Sequence, residues 1–215
     1  MFGTIHQLQR TLAHAVIAGA FIAGGASAAL AQAQPGKPAP EFTLKDSGGK
    51  TVKHADLKGK TVVLEWTNQD CPYVRKHYGG GNMQQLQKDA AAKDVVWLTI
   101  SSSAPGQQGH VNGIEADELT KSRNAAPAAF LFDPDGKVGH AYDARTTPHM
   151  YVIDKAGVLA YMGAIDDKPT SNLADLKTAR PYLKEALEAV VAGQPVKLAS
   201  TRAYGCSIKY ATPRS

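Results

Sequence analysis

Residues 61–74, which read TVVLEWTNQDCPYV, decide the fold of this chain. The first part is a run of β-branched and apolar residues, which is typical of a buried central strand. A short polar loop follows, and then Cys71 and Pro72. Proline is favoured at the first position of a helix because the N–H that it lacks would have no partner there. The stretch therefore predicts a strand, a tight loop and a helix that begins just after Cys71.

Strand and helix patterns alternate through the rest of the chain. Residues 42–44 and 51–53 flank turn residues at 46–49 and predict a β-hairpin. A second hairpin is predicted over 150–161, and residues 173–191 predict one long amphipathic helix. This order predicts an α/β fold, with a central mixed β-sheet flanked by helices and an N-terminal β-hairpin extension.

The N-terminal segment differs in composition from the rest of the chain. Arg10 is the only charged side chain among residues 1–31, and the apolar run over 13–31 ends in small residues. This pattern predicts a cleavable secretory signal, with cleavage after Ala31 or Ala33. An uncleaved anchor helix is the alternative, and the glycines within the run weigh against it. We therefore predict a periplasmic or secreted protein with no membrane association after cleavage.

The length and charge of the chain limit its organisation and partners. The chain has 215 residues and a formal net charge of +5. Its basic residues are interspersed with acidic ones, which argues against binding to nucleic acid. One domain over 41–195 is predicted, preceded by the signal peptide over 1–31 and a linker over 32–40, and followed by a tail over 196–215.

Cys71 is the centre of the predicted chemistry. At a helix N-terminus, unpaired N–H groups and the helix dipole stabilise a thiolate, and Arg75, Lys76 and His77 add positive charge nearby. The position predicts a lowered thiol pKa and attack on a disulfide or a peroxide. A buried cysteine that acts only as a small apolar residue is the alternative.

Three motifs together indicate a family. They are Cys71-Pro72-Tyr73-Val74, the loop Thr147-Pro148, and the tail residues 205–210, which read GCSIKY. The motifs resemble the peroxiredoxin-like (AhpC/TSA-type redoxin) group of the thioredoxin superfamily, with Val74 in place of the second cysteine of the CxxC motif. The resemblance implies a thioredoxin-like fold and thiol–disulfide chemistry. No dinucleotide loop and no paired CxxC are present, so neither a cofactor nor a metal is predicted.

The resemblance also implies roles for individual residues. Thr147 and Pro148 match the cis-proline loop that shapes the substrate groove. Glu65, six residues before Cys71, matches the buried acid that moves protons during exchange. Asn68 stands where peroxiredoxins have a threonine, and we predict that Asn68 and Trp66 help to bind substrate.

Cys206 is the only other cysteine of the chain. It is a candidate to replace the resolving cysteine that Val74 cannot supply, provided that the two sulfurs approach within bridging distance. A permanent structural disulfide and a free or intermolecular thiol are the other interpretations.

The leading functional hypothesis is an exported thiol–disulfide oxidoreductase. Cys71, Cys206 and Glu65 are its predicted catalytic residues, and a protein thiol or disulfide substrate or electron donor is its predicted partner. The second hypothesis is a thiol peroxidase with an antioxidant role, in which Cys71 is again the reactive cysteine. A copper-binding module is a third hypothesis, because soft or borderline ligands occur in the chain. These are Cys71, His77, Met83, His149 and Met150. A non-catalytic interaction scaffold is the fourth.

Overall fold

The computed structural model describes residues 1–2 and 32–211. The predicted signal peptide therefore lies outside the described residues, apart from Met1 and Phe2. None of the helices within the described ranges is long and apolar enough to cross a membrane.

In the part of the chain that the structure describes, seven strands form the main sheet and two short strands form a separate ladder. The strands are β1 (Thr43–Asp46), β2 (Thr51–Lys53), β3 (Val62–Trp66), β4 (Val96–Ser101), β5 (Ala129–Phe132), β6 (Thr146–Thr147), β7 (His149–Ile153), β8 (Leu159–Gly163) and β9 (Cys206–Ser207). The main sheet has the order β2-β1-β5-β4-β3-β7-β8, and β6 pairs with β9. β3, β4 and β5 are parallel, whereas the remaining pairs are antiparallel. The predicted mixed sheet and N-terminal hairpin are confirmed.

The central strand β3 separates two layers of the core. All five of its residues are buried, and it lies between β4 and β7. Successive side chains of a strand point to opposite faces of the sheet. Leu64 and Trp66 accordingly pack with Tyr151 on one face, whereas Val63 packs with Cys71 on the other. Glu65 shares the face of Val63 and thus lies beneath the first helix.

Within the described residues, five α-helices cover the sheet. They are α1 (Pro72–Gly79), α2 (Asn82–Ala91), α3 (Gly113–Ser122), α4 (Lys137–Ala141) and α5 (Tyr182–Val191). α1 begins at Pro72 with Cys71 as its N-cap residue, as predicted from the sequence. Gly81 separates α1 from α2 with a φ of 72°, a left-handed conformation that glycine adopts at little cost. This break turns α2 back towards the sheet.

The prediction of one long helix over 173–191 is wrong. The structure has a 3-10 turn at Leu173–Lys177 and begins α5 only at Tyr182. Pro181 precedes α5 with a φ of −86° and a ψ of 76°. Proline has no N–H to donate within a helix, and its ring disfavours a helical conformation in the residue before it. The amphipathic pattern therefore belongs to two elements separated by a proline.

Both segments that flank the predicted domain pack against it. In the predicted linker over 32–40, the Ala33 N–H donates to Ala141 O at 2.9 Å, and the side chain of Ala33 is buried. In the predicted tail, the Thr201 N–H donates to Met162 O at 3.1 Å. The described part of each segment is therefore attached to the fold rather than free of it.

Candidate active site

Cys71 lies where the loop after β3 meets α1. Its side chain is fully buried, and its backbone N–H donates to Asn68 O at 3.1 Å. The Asn68 side chain in turn accepts the Asp70 N–H at 2.8 Å, which closes the loop into a tight turn. The loop geometry therefore fixes the sulfur at the first turn of the helix.

The peptide bond between Thr147 and Pro148 is cis and lies beside Cys71. In its protonated form, the Cys71 thiol donates to Thr147 O at 2.9 Å. The proline loop and the cysteine, which are far apart in the sequence, are therefore brought into direct contact. This juxtaposition agrees with the positions that the family resemblance implies for Thr147 and Pro148.

The tail places Cys206 against the same two elements. β9 pairs antiparallel with β6, so that Cys206 lies opposite Thr147. The side chain and the backbone of Cys206 lie close enough to the Cys71 sulfur to lower the pKa of its thiol. The two cysteines are free thiols in this structure. Their contact makes the redox pairing of Cys71 with Cys206 geometrically feasible.

The two thiols differ in acidity. Burial opposes ionisation of Cys71, but hydrogen bonds from the Cys206 thiol and the Val74 N–H outweigh it and lower the pKa of Cys71. Burial and the neighbouring Cys71 raise the pKa of Cys206 to about 11. Cys71 is therefore the sulfur that ionises first, and Cys206 is its hydrogen-bond donor. Hydrogen bonding, rather than the cations Arg75 and Lys76, causes the lowered pKa.

Glu65 lies at the centre of a buried polar network beneath α1. Its carboxylate accepts hydrogen bonds from Tyr78 at 2.8 Å, from Trp97 at 2.9 Å, from Thr99 at 3.2 Å and from Gln87 at 3.3 Å. Burial raises the pKa of Glu65, and the bonds from Trp97 and Tyr78 oppose that shift. These contacts fix Glu65 to α1, α2 and β4. Its role in proton transfer stays a prediction.

Trp66 does not lie in a substrate groove. It is fully buried on the face of the sheet opposite Cys71, where its ring packs against Tyr151 and Tyr142. Its indole N–H donates to Ser102 Oγ at 2.9 Å. We therefore correct the prediction for Trp66: it is a core residue, because adjacent residues of β3 must point to opposite faces.

The comparisons with known proteins agree with this geometry. A sequence profile described as the AhpC/TSA family matches residues 35–162, more than half of the chain. The chain belongs to the AhpC/TSA family. The resemblance noted from the sequence is thereby confirmed, together with the thioredoxin-like fold that it implied.

Relatives of this AhpC/TSA-family chain include proteins named as thioredoxin-like or as thiol-disulfide oxidoreductases. It is 28% identical over 146 residues to the thioredoxin-like protein YneN of Bacillus subtilis, covering 66% of this chain and 80% of YneN. It is 27% identical over 122 residues to the thiol-disulfide oxidoreductase ResA of Bacillus subtilis, covering 57% of this chain and 63% of ResA. An uncharacterized conserved protein from Geobacillus kaustophilus has a similar structure, with a TM-score of 0.72 and 26% identity, over 85% of this chain and 94% of that one.

Asn68 is positioned in this family member to hold the active-site loop. It is almost fully buried, and its side-chain amide lies 3.5 Å from Gln108 O. The described contacts of its side chain are thus with the loop backbone. Substrate binding by Asn68 stays a prediction.

The side chains of the copper-binding hypothesis lie on both faces of the sheet in this AhpC/TSA-family fold, with Cys71, Met83 and Met150 in one buried cluster. His149 packs against Tyr151 at a centroid distance of 4.6 Å, whereas its neighbour Met150 lies on the other face of the sheet with Cys71. His77 is engaged with Asn82 and Tyr204. Within residues 1–2 and 32–211, no group of three His, Cys, Asp or Glu side chains is arranged to hold a metal ion.

A buried polar cluster close to Cys71 escaped the sequence analysis. We call Lys76, His77, Asp166 and Tyr204 the Tyr204 cluster. Lys76 Nζ donates to the Tyr204 hydroxyl at 3.2 Å and lies 3.6 Å from Asp166 Oδ2. His77 Nε2 lies 3.2 Å from the same hydroxyl, which donates to Asp166. The one signal available was the pair of basic residues on α1, which we interpreted only as positive charge near Cys71.

His77 has a defined protonation state within this cluster. Burial and the charge of Lys76 lower the pKa of His77 to about 3, so its ring is neutral near pH 7. The Asn82 amide lies 2.8 Å from Nδ1 and donates to it, which leaves the ring proton on Nε2. His77 therefore donates to Tyr204.

Proposed function

We propose that this protein is an exported thiol–disulfide oxidoreductase in which Cys71 is the nucleophile and Cys206 is its redox partner. The observation that carries the proposal is the contact between the two thiols beside cis-Pro148, with the pKa of Cys71 lowered and that of Cys206 raised. Similarity to proteins named thiol-disulfide oxidoreductase supports the same class of reaction.

The proposed reaction follows from this difference in acidity. The Cys71 thiolate attacks one sulfur of a substrate disulfide, forming a mixed disulfide and releasing one substrate thiolate. Cys206 then loses its proton, and its sulfur attacks the sulfur of Cys71. This step forms the Cys71–Cys206 disulfide and releases the second substrate thiolate. Two electrons pass from the protein to the substrate, and an external dithiol restores the reduced protein.

The redox state of the two thiols tests this proposal directly. We expect a single two-electron transition across a series of dithiol buffers, with a potential above about −300 mV. Alkylation followed by mass spectrometry would detect the Cys71–Cys206 disulfide, and Cys206→Ser serves as the control that cannot form it. A disulfide that resists reduction, or two thiols that never pair, would contradict the proposal.

A peroxide arm of the same experiment separates disulfide exchange from peroxidase activity. The reduced protein is mixed with hydrogen peroxide or with a disulfide-bonded peptide at equal concentration, and the loss of the Cys71 thiol is followed. We expect the disulfide to react faster. Faster oxidation of Cys71 by peroxide would instead favour the thiol peroxidase hypothesis.

We further propose that the signal peptide is removed after Ala31 during export. The alternative cleavage after Ala33 would remove an amide that donates to Ala141 O at 2.9 Å and a side chain buried in the core. Mass spectrometry of the protein from a periplasmic extract and from the culture medium should find a mature chain that begins at Gln32. A chain that retains Met1 would contradict cleavage, and a chain found only in the cytoplasm would contradict export.

A further inference from the structure

We propose that Tyr204 is a positioning residue that anchors the tail and thereby holds the Cys206 sulfur on Cys71. This inference rests on the proposed function and adds a residue that determines when Cys206 lies against Cys71. Tyr204 touches neither the reacting sulfurs nor a substrate position that we assign. It acts through the segment of chain that it attaches to α1.

The first argument is that α1 and the tail are joined at two points. α1 carries Cys71 at its N-cap and Lys76 and His77 further along the helix. The tail carries Tyr204 two residues before Cys206. One junction is the thiol pair, and the other is the hydroxyl of Tyr204. A shift of the tail relative to α1 must therefore disturb both.

The second argument is that every hydrogen-bonding position of the Tyr204 hydroxyl is occupied. Its oxygen lies 3.2 Å from Lys76 Nζ and 3.2 Å from His77 Nε2, and its proton goes to Asp166. A phenol has one donor and two acceptor positions, so all are used. Lys76, His77 and Asp166 are all buried, so the loss of this hydroxyl would leave their polar atoms short of partners.

The third argument is that the backbone ladder alone is short. β6 and β9 have two residues each and form a separate two-stranded pair, which is followed by two more backbone bonds, from Ile208 N–H to Arg145 O at 3.1 Å and from Ala104 N–H to Lys209 O at 2.8 Å. Isolated two-stranded pairs are marginally stable in water, so side-chain anchors are needed to keep the tail in place. Gly205, between Tyr204 and Cys206, passes so close to β6 that a Cβ there would collide with the carbonyl of Thr147.

The hydrogen bonds that anchor Tyr204 affect both steps of the proposed reaction. These steps are the attack of Cys71 on a substrate disulfide and the attack of Cys206 on the mixed disulfide. With the tail in place, the Cys71 side chain is fully buried and cannot meet an external disulfide. The first step therefore requires the tail to leave, and the second step requires it to return. Loosening the anchor should expose Cys71 more often and so speed the first step, although the exposed thiolate then keeps the Val74 N–H bond and loses the interaction with Cys206. It should slow the second step, because Cys206 returns less readily. General destabilisation of the fold would also expose Cys71. It is distinguished by urea: exposure through global unfolding speeds up steeply with added urea, whereas release of the tail alone exposes little surface and depends on urea only weakly.

The test follows both steps in one reaction with dithiobis(nitrobenzoate). The Cys71 thiolate attacks the disulfide of the reagent, forms a mixed disulfide and releases one thionitrobenzoate. Cys206 then loses its proton to solvent, and its sulfur forms a bond to the Cys71 sulfur and releases the second thionitrobenzoate. Stopped-flow absorbance records the two releases as separate phases.

In Tyr204→Phe, which keeps the ring, we expect the first phase to be about tenfold faster and the second about tenfold slower, as the loss of hydrogen bonds to charged groups implies. Tyr210→Phe is the matched control. Tyr210 lies in the same tail, and its hydroxyl donates to Ala144 O at 2.7 Å, away from the Tyr204 cluster. Both of its phases should change less than those of Tyr204→Phe, because Tyr210 loses one bond to a neutral carbonyl, which contributes less than bonds to charged groups. The proposal would be overturned if the rates of both phases were the same in Tyr204→Phe and wild type, or if the second phase were faster in Tyr204→Phe.

Gly205→Ala provides an independent variant if Tyr204→Phe fails to fold. It leaves the Tyr204 cluster intact but pushes the tail away from Thr147, and we expect the same pair of opposite changes. Gly193→Ala is its control, because Gly193 also has a positive φ, of 67°, but no atom lies near its missing Cβ. Unchanged phases in Gly205→Ala would contradict the proposal. A wild-type protein that lacks the second phase would contradict the proposed function, whereas the first phase would still test the anchor.

Discussion

Replacement of Cys71 by serine is expected to lower the rate of disulfide exchange by about 1000-fold or more. A serine hydroxyl remains protonated at neutral pH and cannot replace the thiolate in attack on a disulfide. Neither the mixed disulfide nor the Cys71–Cys206 disulfide can then form. The measurement is steady-state reduction of a disulfide-bonded peptide, with a dithiol as the final reductant.

Cys206→Ser is the matched variant for this experiment. It retains the Cys71 nucleophile, so we expect the first step to survive and a mixed disulfide at Cys71 to accumulate. Mass spectrometry of the quenched reaction detects that adduct. Retention of more than a tenth of the wild-type rate in Cys71→Ser would remove Cys71 as the nucleophile. Wild-type turnover in Cys206→Ser would remove Cys206 as its partner.

Truncation of Glu65 is expected to have the largest effect on stability. In Glu65→Ala, the donors of Tyr78, Trp97, Thr99 and Gln87 lose their common acceptor. Each unsatisfied buried donor costs about 1–3 kcal/mol, and partial hydration of the new cavity offsets some of that cost. We expect the free energy of unfolding to fall by about 4 kcal/mol in urea titrations.

The control for Glu65→Ala is Glu118→Ala, at an exposed position on α3. Its expected cost is below about 0.5 kcal/mol. A loss of less than about 1 kcal/mol in Glu65→Ala would show that the network contributes little to stability.

Glu65→Gln isolates the pH dependence of the same residue. Burial raises the pKa of Glu65 in the folded protein, so the folded state favours the protonated carboxyl. The resulting stabilisation is complete below the ordinary glutamate pKa and is lost as the pH rises through the folded pKa. The free energy of unfolding of the wild type, minus that of Glu65→Gln, should therefore decrease with rising pH over that window. A difference that is constant with pH would contradict the raised pKa.

The sequence was sufficient for the features that depend on local patterns. The buried run before Cys71, the proline at the helix start and the glycine-rich turns each specify local backbone geometry, and the corresponding elements are found. The error at 173–191 arose because the amphipathic pattern continued across Pro181. Helix-breaking chemistry at one residue outweighed the pattern around it.

The assignment of Trp66 failed for a different reason. Glu65 and Trp66 are consecutive on β3, so a single site on one face of the sheet cannot include both side chains. The alternation of side chains along a strand was therefore enough to exclude one of these two residues from the site. Which face carries the site became clear only from the packing of α1 on the side of Glu65.

The position of the tail could not be predicted from the sequence. β9 has two residues and no periodicity, and the partner strand β6 is equally short. The Tyr204 cluster draws its members from α1, the segment after β8 and the tail, and only the folded chain brings these together. Its hydrogen bonds depend on long-range packing, which no local pattern encodes.

The order of elements along the chain makes the two thiols unequally vulnerable to proteolysis. Every strand of the main sheet, and α5 as well, precedes residue 192, and the tail is joined to them through a mostly exposed segment over 193–197. A protease that cuts this connector would leave the folded body and Cys71 covalently intact. The tail would then be held by non-covalent contacts alone, and its release would convert a two-thiol protein into a one-thiol protein.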